Sequence, residues 1–234
     1  MKYEELRREV LAANLELPIL GLVEFTWGNV SARDPDSGAV AIKPSGVAYK
    51  SMKAEHIVVV GPDGSPLAGK LRPSSDLATH LELYRQYPGI GSIVHTHSTW
   101  ATVWAQACRG IPALGTTHAD YFSGEVPCTR ILTEAETSGD YERETGLVII
   151  ERFRELGLDP LRTPAVLVAN HGPFAWGKDS AEAVHNAAVL DLVARMALET
   201  LALSPGIGSM PGHLLDKHFN RKHGPGAYYG QSKG

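Results

Sequence analysis

The segment IGSIVHTHSTWATVWAQA, residues 90–107, decides the fold class because it passes from one kind of secondary structure to another without a break. IGSIVHTH predicts a strand over residues 90–97, and STWATVWAQA predicts a helix over residues 98–107. Strands and helices are mixed in the same way on both sides of this segment. The sequence therefore predicts an α/β protein.

Upstream of this segment, the sequence predicts a helix, three strands and a second helix. Apolar residues from Leu6 to Leu17 fall on one face of the first helix, and Pro18 follows its end. Ser74 or Ser75 is the expected cap of the second helix. The strands are expected at residues 22–32, 39–46 and 57–60, and the second helix at residues 74–88.

Downstream of it, a helix closed by Gly157 is expected at residues 140–157 and a strand at residues 164–170. The longest helix is expected at residues 179–203, where Asp179 and Glu182 resemble a capping box. A Pro/Gly-rich break at residues 204–212 precedes a short helix. No repeat and no boundary signal occurs before this break, so one domain is predicted over residues 1–234, and residues 204–234 are expected to be a disordered end or a docked arm.

The composition limits the classes of partner. Of 234 residues, 43% are apolar and 21% are charged, which is typical of a globular protein. The formal net charge of -4 gives no sign of a nucleic-acid partner, and no apolar run approaches the ~20 residues that span a membrane. Cys108 and Cys128 form no CxxC pair, and Cys108 is expected in the core. We expect a reduced, cytoplasmic protein.

Three histidines form the sharpest chemical signal. His95 and His97 are two residues apart on a predicted strand, so their rings should face one point. His171 lies where another predicted strand ends. Three histidines with open coordination positions describe a catalytic divalent-metal site, although His-x-His also occurs as a polar strand edge. Asp76 is either a fourth ligand or part of a helix cap.

Three turns of small residues form a second signal, since small residues let backbone N–H groups approach an anion. Ser74-Ser75 also precedes a helix, whose N-terminus favours negative charge. These turns suit a phosphate monoester, but caps and hairpins use the same residues. The turns are Gly28-Asn29, Ser45-Gly46 and Ser74-Ser75, with Lys43 as an added charge. No glycine-rich loop has the spacing of a nucleotide-binding motif.

A third group of side chains can transfer protons. Asp120 lies in the polar segment from Thr116 to Tyr121, and Tyr229 lies in the tail, downstream of His218 and Arg221. Carboxylate, phenol and imidazole are all possible acid/base groups, although each of them alone is more typical of a surface or of packing.

Together these segments resemble one family, the bacterial L-ribulose-5-phosphate 4-epimerases, and among them the arabinose-pathway enzyme. The resemblance extends from about residue 5 to residue 231. The wider family includes L-fuculose-phosphate aldolase and the head domain of adducin, a cytoskeletal protein without catalysis. The matching segments are TWGNVSARD, IKPSGV, RPSSDLATH, IVHTHS, GTTHADYF, VPCTR, NHGPFAWG and LLDKHFNRKH…AYYGQ.

The resemblance implies a class II aldolase-like three-layer fold, with a central, mostly antiparallel sheet flanked by helices. It also implies a homotetramer with the active site at a subunit interface, completed by the arm at residues 204–234. The metal would be Zn²⁺, with Co²⁺, Mn²⁺ or Ni²⁺ as alternatives. The implied metal site comprises Asp76, His95, His97 and His171. The implied acid/base pair is Asp120 and Tyr229, and the implied substrate-binding residues are Gly28, Asn29, Lys43, Ser45, Gly46, Ser74, Ser75, Thr116, His218 and Arg221.

The implied reaction interconverts L-ribulose 5-phosphate and D-xylulose 5-phosphate by retro-aldol cleavage of the C3–C4 bond, rotation of the aldehyde and aldol re-formation. Because the aldolases of the family carry glutamate in place of Asp76, the shorter side chain favours an epimerase. Two alternatives stay open, a class II sugar-phosphate aldolase and a non-catalytic adducin-like module. The sequence also leaves open whether arabinose or ascorbate breakdown supplies the substrate.

Overall fold

The computed structural model describes residues 3–228, in which seven strands and eight α-helices are found. The strands are β1 (Asn29–Arg33), β2 (Val40–Ile42), β3 (Val58–Val60), β4 (Pro66–Ala68), β5 (Ser92–His95), β6 (Ala165–Val168) and β7 (Gly172–Gly177). The helices are α1 (Glu4–Ile19), α2 (Leu77–Gln86), α3 (Thr99–Gln106), α4 (Thr116–Ala119), α5 (Glu134–Ser138), α6 (Tyr141–Leu156), α7 (Ser180–Leu203) and α8 (Gly212–His223).

The strands form one sheet in the order β4-β3-β2-β1-β5-β7-β6. Each neighbouring pair is antiparallel, so the antiparallel sheet that the resemblance implied is confirmed. Strands β1, β5 and β7 lie side by side in this order, although long segments of chain separate them. The sheet therefore brings three distant parts of the sequence together at one end.

Helices cover both faces of the sheet, because the strands are apolar on both sides. Alternate residues of one strand belong to different cores: Val94 packs on the side of α1, α3 and α7, whereas Ile93 packs on the side of α2 and α6. In β7, Ala175 faces the first core and Trp176 the second. This gives the three layers of the expected α/β fold. No helix within residues 3–228 has both the length and the apolar character needed to cross a membrane.

The predicted ends of α6 and the start of α7 are confirmed, whereas Pro18, expected just after the first helix, lies inside α1, which continues to Ile19. The Asp140 carboxylate accepts a hydrogen bond at the start of α6, and Gly157 ends that helix in the left-handed conformation with φ +61°. At the start of α7, Asp179 accepts from the Glu182 N–H at 2.8 Å. The Glu182 carboxylate accepts from the Lys178 N–H at 2.7 Å, so the capping box is only half formed.

The strand predicted at residues 22–32 is too long at its start, since β1 begins at Asn29. Phe25 and Gly28 have φ values of +52° and +73°, which no strand residue adopts, and they turn the chain ahead of the sheet. Phe25 and Trp27 in this stretch are exposed, so their apolar side chains do not indicate a buried strand. Strand β7 was missed, because its Gly-Pro start is typical of a turn.

Two other local predictions are wrong. Helix α2 begins at Leu77, and its cap residue is Asp76 in helical conformation rather than Ser74 or Ser75. Cys108 is exposed and follows α3 with φ +53°, so it is not a core residue. Its thiol lies 3.1 Å from Asn170 Oδ1, which replaces the expected apolar packing with a polar contact.

Candidate active site

The three histidines of the predicted metal site meet at one end of the sheet. His95 ends β5, His97 follows two residues later, and His171 lies in the turn between β6 and β7. Their ligand atoms lie within 4.8 Å of one another. The ring centroids are 5.1 Å apart for His95 and His97, 4.8 Å for His95 and His171, and 5.2 Å for His97 and His171.

A tight backbone turn brings His171 to the other two rings. Asn170 adopts the left-handed conformation with φ +60°, and Gly172 follows. A side chain at Gly172 would place its Cβ 2.9 Å from the Thr96 carbonyl oxygen and 3.2 Å from His97 Cδ2. The β6–β7 turn can therefore approach the end of β5 only because residue 172 is glycine.

Contacts behind the rings set their orientation. His95 Nδ1 lies 2.9 Å from the carbonyl oxygen of Pro173, which fixes the proton on Nδ1 and leaves Nε2 as a free lone pair. His171 Nδ1 lies 3.1 Å from the hydroxyl of Tyr141. The ring of His97 lies 6.2 Å from that of Trp27. Each histidine is thus held by a different neighbour.

The surroundings of His97 and His171 favour the neutral form of these two rings. Burial, with the neighbouring histidines, lowers the pKa of His171 to about 3 and also lowers the pKa of His97. Only neutral imidazole has a lone pair for a metal ion. Three imidazole rings whose ligand nitrogens lie close together fit the ligand set of a divalent cation, so the cluster can hold one.

Asp76 lies beside the histidines in the same pocket. Its Oδ2 accepts hydrogen bonds from Asn29 Nδ2 at 2.6 Å and from the Ser74 hydroxyl at 3.2 Å. Burial favours the neutral acid, but the neighbouring histidines and the Asn29 amide hold the pKa of Asp76 below its usual value. The group is therefore a carboxylate, which adds negative charge next to the three rings.

The three predicted phosphate-binding turns line the same pocket as the histidines. Gly28 has to be glycine, because a Cβ there would lie 2.9 Å from the His95 carbonyl oxygen at φ +73°. The Oδ1 atom of Asn29 is buried and has no hydrogen-bond partner among the described residues. The pocket therefore combines a cation-binding cluster with small-residue turns and an amide oxygen that can accept a hydrogen bond.

The backbone of the turns contradicts part of the expected phosphate geometry. The Ser74 N–H donates to the Lys43 carbonyl at 2.9 Å, and the Ser45 N–H donates to the Arg72 carbonyl at 3.0 Å. These two N–H groups are thus occupied. Among residues 3–228, no hydrogen-bond partner is found for the N–H groups of Gly28, Gly46 and Ser75, which leaves them as open backbone donors of the turns.

Lys43 is buried in the wall between these turns. Its Nζ donates to the Thr26 carbonyl at 2.8 Å and lies 4.9 Å from the centre of the Tyr49 ring. Burial lowers the pKa of Lys43 to about 8, against the opposing effect of the Asp76 carboxylate. The lysine therefore brings a positive charge to the pocket from a buried position rather than from a flexible surface position.

Asp120 belongs to a second group of polar residues, which we call the Asp120 cluster: Asp120, His218 and Arg221. Arg221 donates to both carboxylate oxygens of Asp120, at 3.0 and 2.6 Å, and His218 Nδ1 lies 3.1 Å from Oδ1. Burial would raise the pKa of Asp120, but the hydrogen bonds from Arg221 and His218 outweigh it and lower the pKa. Asp120 is held as a carboxylate.

The Asp120 cluster is separate from the histidine pocket within one chain. Asp120 follows α4, and its two partners lie on α8, which packs against α4. Neither the cluster nor Thr116 is among the described residues that line the pocket of the histidines. Tyr229 lies outside the described residues.

Four residues of the pocket were not foreseen from the sequence, Thr26 and Trp27 ahead of β1 and Tyr141 and Glu142 at the start of α6. Burial raises the pKa of Tyr141, which keeps it a neutral phenol. The sequence carries a signal for the helix start, the Asp140 cap. It carries none for the approach of that start to His171, which depends on tertiary packing.

The fold and the site define a class of protein. The chain belongs to the class II aldolase and adducin N-terminal domain family, whose model matches residues 8–198. Among individual relatives, the chain is 58% identical over 228 residues to a protein of Salmonella paratyphi A named L-ribulose-5-phosphate 4-epimerase UlaF, and the match covers 97% of this chain and 99% of that one. A protein of the same name from Salmonella typhi matches equally well.

Solved structures give the same class. An L-fuculose 1-phosphate aldolase superposes with a TM-score of 0.78 at 24% identity, covering 93% of this chain and 95% of the other, which supports the fold alone. YgbL of Klebsiella pneumoniae, described as a putative aldolase/epimerase/decarboxylase, superposes with a TM-score of 0.73 at 25% identity, covering 93% of this chain and 99% of the other.

Proposed function

We propose that this chain is a metal-dependent L-ribulose-5-phosphate 4-epimerase, which interconverts L-ribulose 5-phosphate and D-xylulose 5-phosphate. One observation carries the proposal: a single pocket contains a three-histidine cluster and the small-residue turns suited to a phosphate. The 58% identity to proteins named as this epimerase supports it over the whole chain.

The chemistry explains why such a pocket is needed. The hydrogen on C4 is not next to the ketone, so its direct removal is not assisted. Cleavage of the C3–C4 bond avoids this problem, because the bonding electrons move onto the ketone half and C4 becomes an aldehyde. The aldehyde then turns over and the bond forms again on its other face. This route requires charge stabilisation at one half, an anchor for the other half and proton transfer at O4.

The metal site serves the first requirement. We propose that His95, His97 and His171 hold one divalent cation with Asp76 beside them, and that the cation is Zn²⁺, although three imidazoles also suit Co²⁺, Mn²⁺ or Ni²⁺. When bound, the cation supplies Lewis-acid stabilisation of the negative charge on the ketone half. The lowered pKa values of His97 and His171 support this assignment.

The turns serve the second requirement. We propose that the phosphate binds to the Gly46 and Ser75 N–H groups, the serine hydroxyls of these turns and the Lys43 ammonium, with Asn29 at the sugar. The open backbone donors and the buried lysine support this arrangement. Anchored in this way, glycolaldehyde phosphate can rotate without leaving the pocket.

Proton transfer at O4 is the third requirement, and we assign it to Asp120 and Tyr229. One group takes the proton from the C4 hydroxyl as the C3–C4 bond breaks. The other returns a proton to O4 after the bond forms on the opposite face, so that the protons balance. The carboxylate state of Asp120 supports its role as the base.

Because the Asp120 cluster lies outside the pocket of its own chain, we propose a homotetramer in which a neighbouring subunit supplies it. The single domain of residues 1–234 would then use residues 204–234 as an arm at the subunit interface, carrying Tyr229, His218 and Arg221. Thr116, at the start of α4, would enter the site from the same neighbour. Sedimentation analysis tests the four-subunit state, and a monomer at working concentration rejects it.

We further propose a cytoplasmic enzyme of sugar breakdown. The sequence pointed to the arabinose-pathway enzyme, whereas the relatives carry the designation UlaF. Arabinose or ascorbate breakdown would supply the substrate. Deletion of the gene in the source bacterium separates these sources, since growth should be lost on the sugar whose breakdown needs this enzyme and kept on the other.

The direct test of the activity supplies L-ribulose 5-phosphate to the metal-loaded protein. We expect D-xylulose 5-phosphate to form, and chelation to stop its formation. Accumulation of free dihydroxyacetone and glycolaldehyde phosphate would show an aldolase instead. Absence of both reactions in a protein that binds metal would leave a binding module and reject the proposed enzyme.

A further inference from the structure

The three histidines of the pocket differ in what holds them from behind. His95 is hydrogen-bonded to a backbone carbonyl, that of Pro173. His171 is hydrogen-bonded to a side chain, the hydroxyl of Tyr141 at 3.1 Å. The orientation of His171 therefore depends on a side-chain hydroxyl, which a substitution can remove.

Tyr141 is itself held in a fixed position. It is the first residue of α6. At the start of this helix, the Asp140 carboxylate accepts a hydrogen bond from the Arg143 N–H. The Thr145 hydroxyl donates to the Tyr141 carbonyl at 2.8 Å, which adds a bond within the first turn. The cap ahead of Tyr141 and the bond to its carbonyl hold this residue at a fixed place at the start of the helix.

Close packing against α2 fixes that first turn further. A Cβ at Gly146 would lie 2.9 Å from Glu82 Cβ and 3.2 Å from the Thr79 carbonyl oxygen, so the two helices touch at this glycine. The Thr79 hydroxyl also donates to the Glu142 carbonyl. Helix α2 is the helix that Asp76 precedes, so the same contact places Tyr141 and Asp76 around one pocket.

We infer that Tyr141 is a positioning residue, whose hydroxyl accepts the Nδ1 proton of His171 and so directs the Nε2 lone pair of that ring to the cation. This inference rests on the proposed metal site and goes beyond it, because it assigns a role to a residue outside the ligand set. Partners behind a histidine ligand fix its tautomer and its ring orientation, and their loss typically lowers metal affinity 10- to 100-fold.

The test compares metal affinities, which do not depend on turnover. Tyr141→Phe removes the hydroxyl and keeps the ring. Co²⁺ is titrated against a chromogenic chelator, and its visible absorption reports the ligand geometry. We expect the affinity of Tyr141→Phe for Co²⁺ to fall about 10- to 100-fold and the absorption band to shift, with the circular dichroism unchanged.

Two variants act as matched controls. Tyr121→Phe removes another tyrosine–histidine hydrogen bond, from the Tyr121 hydroxyl to His185 Nε2 at 3.0 Å, which lies away from the pocket. Thr79→Ala removes the hydroxyl that donates to the Glu142 carbonyl, which loosens the first turn of α6 but keeps the Tyr141 hydroxyl. Both variants should retain wild-type affinity for Co²⁺, even where Thr79→Ala lowers the unfolding temperature.

The outcomes separate this inference from the proposed function. If the wild type binds Co²⁺ and epimerises, but Tyr141→Phe has the same affinity and spectrum, the positioning role is overturned and the epimerase proposal stands. If Thr79→Ala weakens binding as much as Tyr141→Phe does, the helix start rather than the hydroxyl is responsible, and the role is again overturned. A wild type that binds no cation overturns both proposals.

Discussion

The histidine pocket and the Asp120 cluster both combine a carboxylate with imidazole, yet their charges are arranged in opposite ways. In the pocket, Asp76 is bonded to a neutral amide and a hydroxyl, and burial lowers the pKa values of His97 and His171. In the Asp120 cluster, the carboxylate forms a two-point ion pair with Arg221.

The difference indicates which chemical partner each region can receive. The pocket has imidazole nitrogens that lie close together and a carboxylate whose hydrogen bonds come from an amide and a hydroxyl rather than from a cation. It is therefore suited to receive a cation. The Asp120 cluster has already balanced its charge, so it has no need of a cation and can act on a neutral hydroxyl brought to it. We interpret the two regions as the metal half and the proton-transfer half of one site.

The largest expected effect comes from the metal half. His97→Asn removes one of three ring nitrogens, so we expect loss of the bound metal and of nearly all epimerase activity. Metal content by mass spectrometry and the rate of D-xylulose 5-phosphate formation check this. His185→Asn, a change at an exposed histidine outside the pocket, should leave both unchanged. A fully active His97→Asn enzyme would remove His97 from the site.

The proton-transfer half should behave differently. Asp120→Asn should lower kcat on the order of 10²- to 10⁴-fold, which is typical for loss of one acid/base group, and should retain the metal. The matched control is Asp216→Asn, at an exposed acid on the same helix as His218 and Arg221, with wild-type kcat expected. If Asp120→Asn lost metal as His97→Asn does, the division into two halves would be wrong.

Removal of the metal should destabilise only a protein with an intact histidine pocket. A ligand at ~100 times its Kd adds about 2.7 kcal/mol to stability, which corresponds to roughly 5–10 °C in Tm for a chain of this size. Calorimetry should therefore show a chelator-dependent decrease of Tm in the wild type and in Asp120→Asn. The His97→Asn protein should show no such decrease. Equal Tm values for the metal-loaded and chelated wild type would argue against the site.

The smallest effect concerns the phosphate turns. Ser75→Asp puts a negative charge at an exposed position ahead of α2, which the helix tolerates but a phosphate dianion does not. We expect KM for the sugar phosphate to rise at least ~10-fold, equivalent to about 1.4 kcal/mol, with metal content unchanged. Ser51→Asp, at another exposed serine, is the control. An unchanged KM in Ser75→Asp would exclude Ser75 from the phosphate site.

The sequence could predict those features that depend on residues close together in the chain. His95 and His97 were found because a spacing of two on a strand is a local property. Short runs of β-branched and apolar residues similarly predicted most strands. Strand β1 was placed too early, because exposed Phe25 and Trp27 have the same apolar character as a buried strand. A single sequence does not separate these two causes.

Contacts between distant segments could not be predicted. The Ser74 N–H is occupied by the Lys43 carbonyl, 31 positions earlier in the sequence, so the simple expectation of a free helix N-terminus was wrong. Tyr141 reaches His171 only because α6 packs on α2 at Gly146. The pair of Asp120 and Arg221 likewise depends on the packing of α8 against α4. Neither the residue types nor their spacing in the sequence predicts these three contacts.

Mixing two inactive variants tests the shared site most directly. His97→Asn disables the metal half and Asp120→Asn disables the proton-transfer half, so each variant alone should be nearly inactive. If neighbouring subunits contribute one half each, random exchange in a symmetric ring combines two intact halves at about a quarter of the sites. We predict that activity returns to about that fraction of the wild-type value once subunits have exchanged. Exchange that is complete by mass spectrometry but restores no activity would contradict the account.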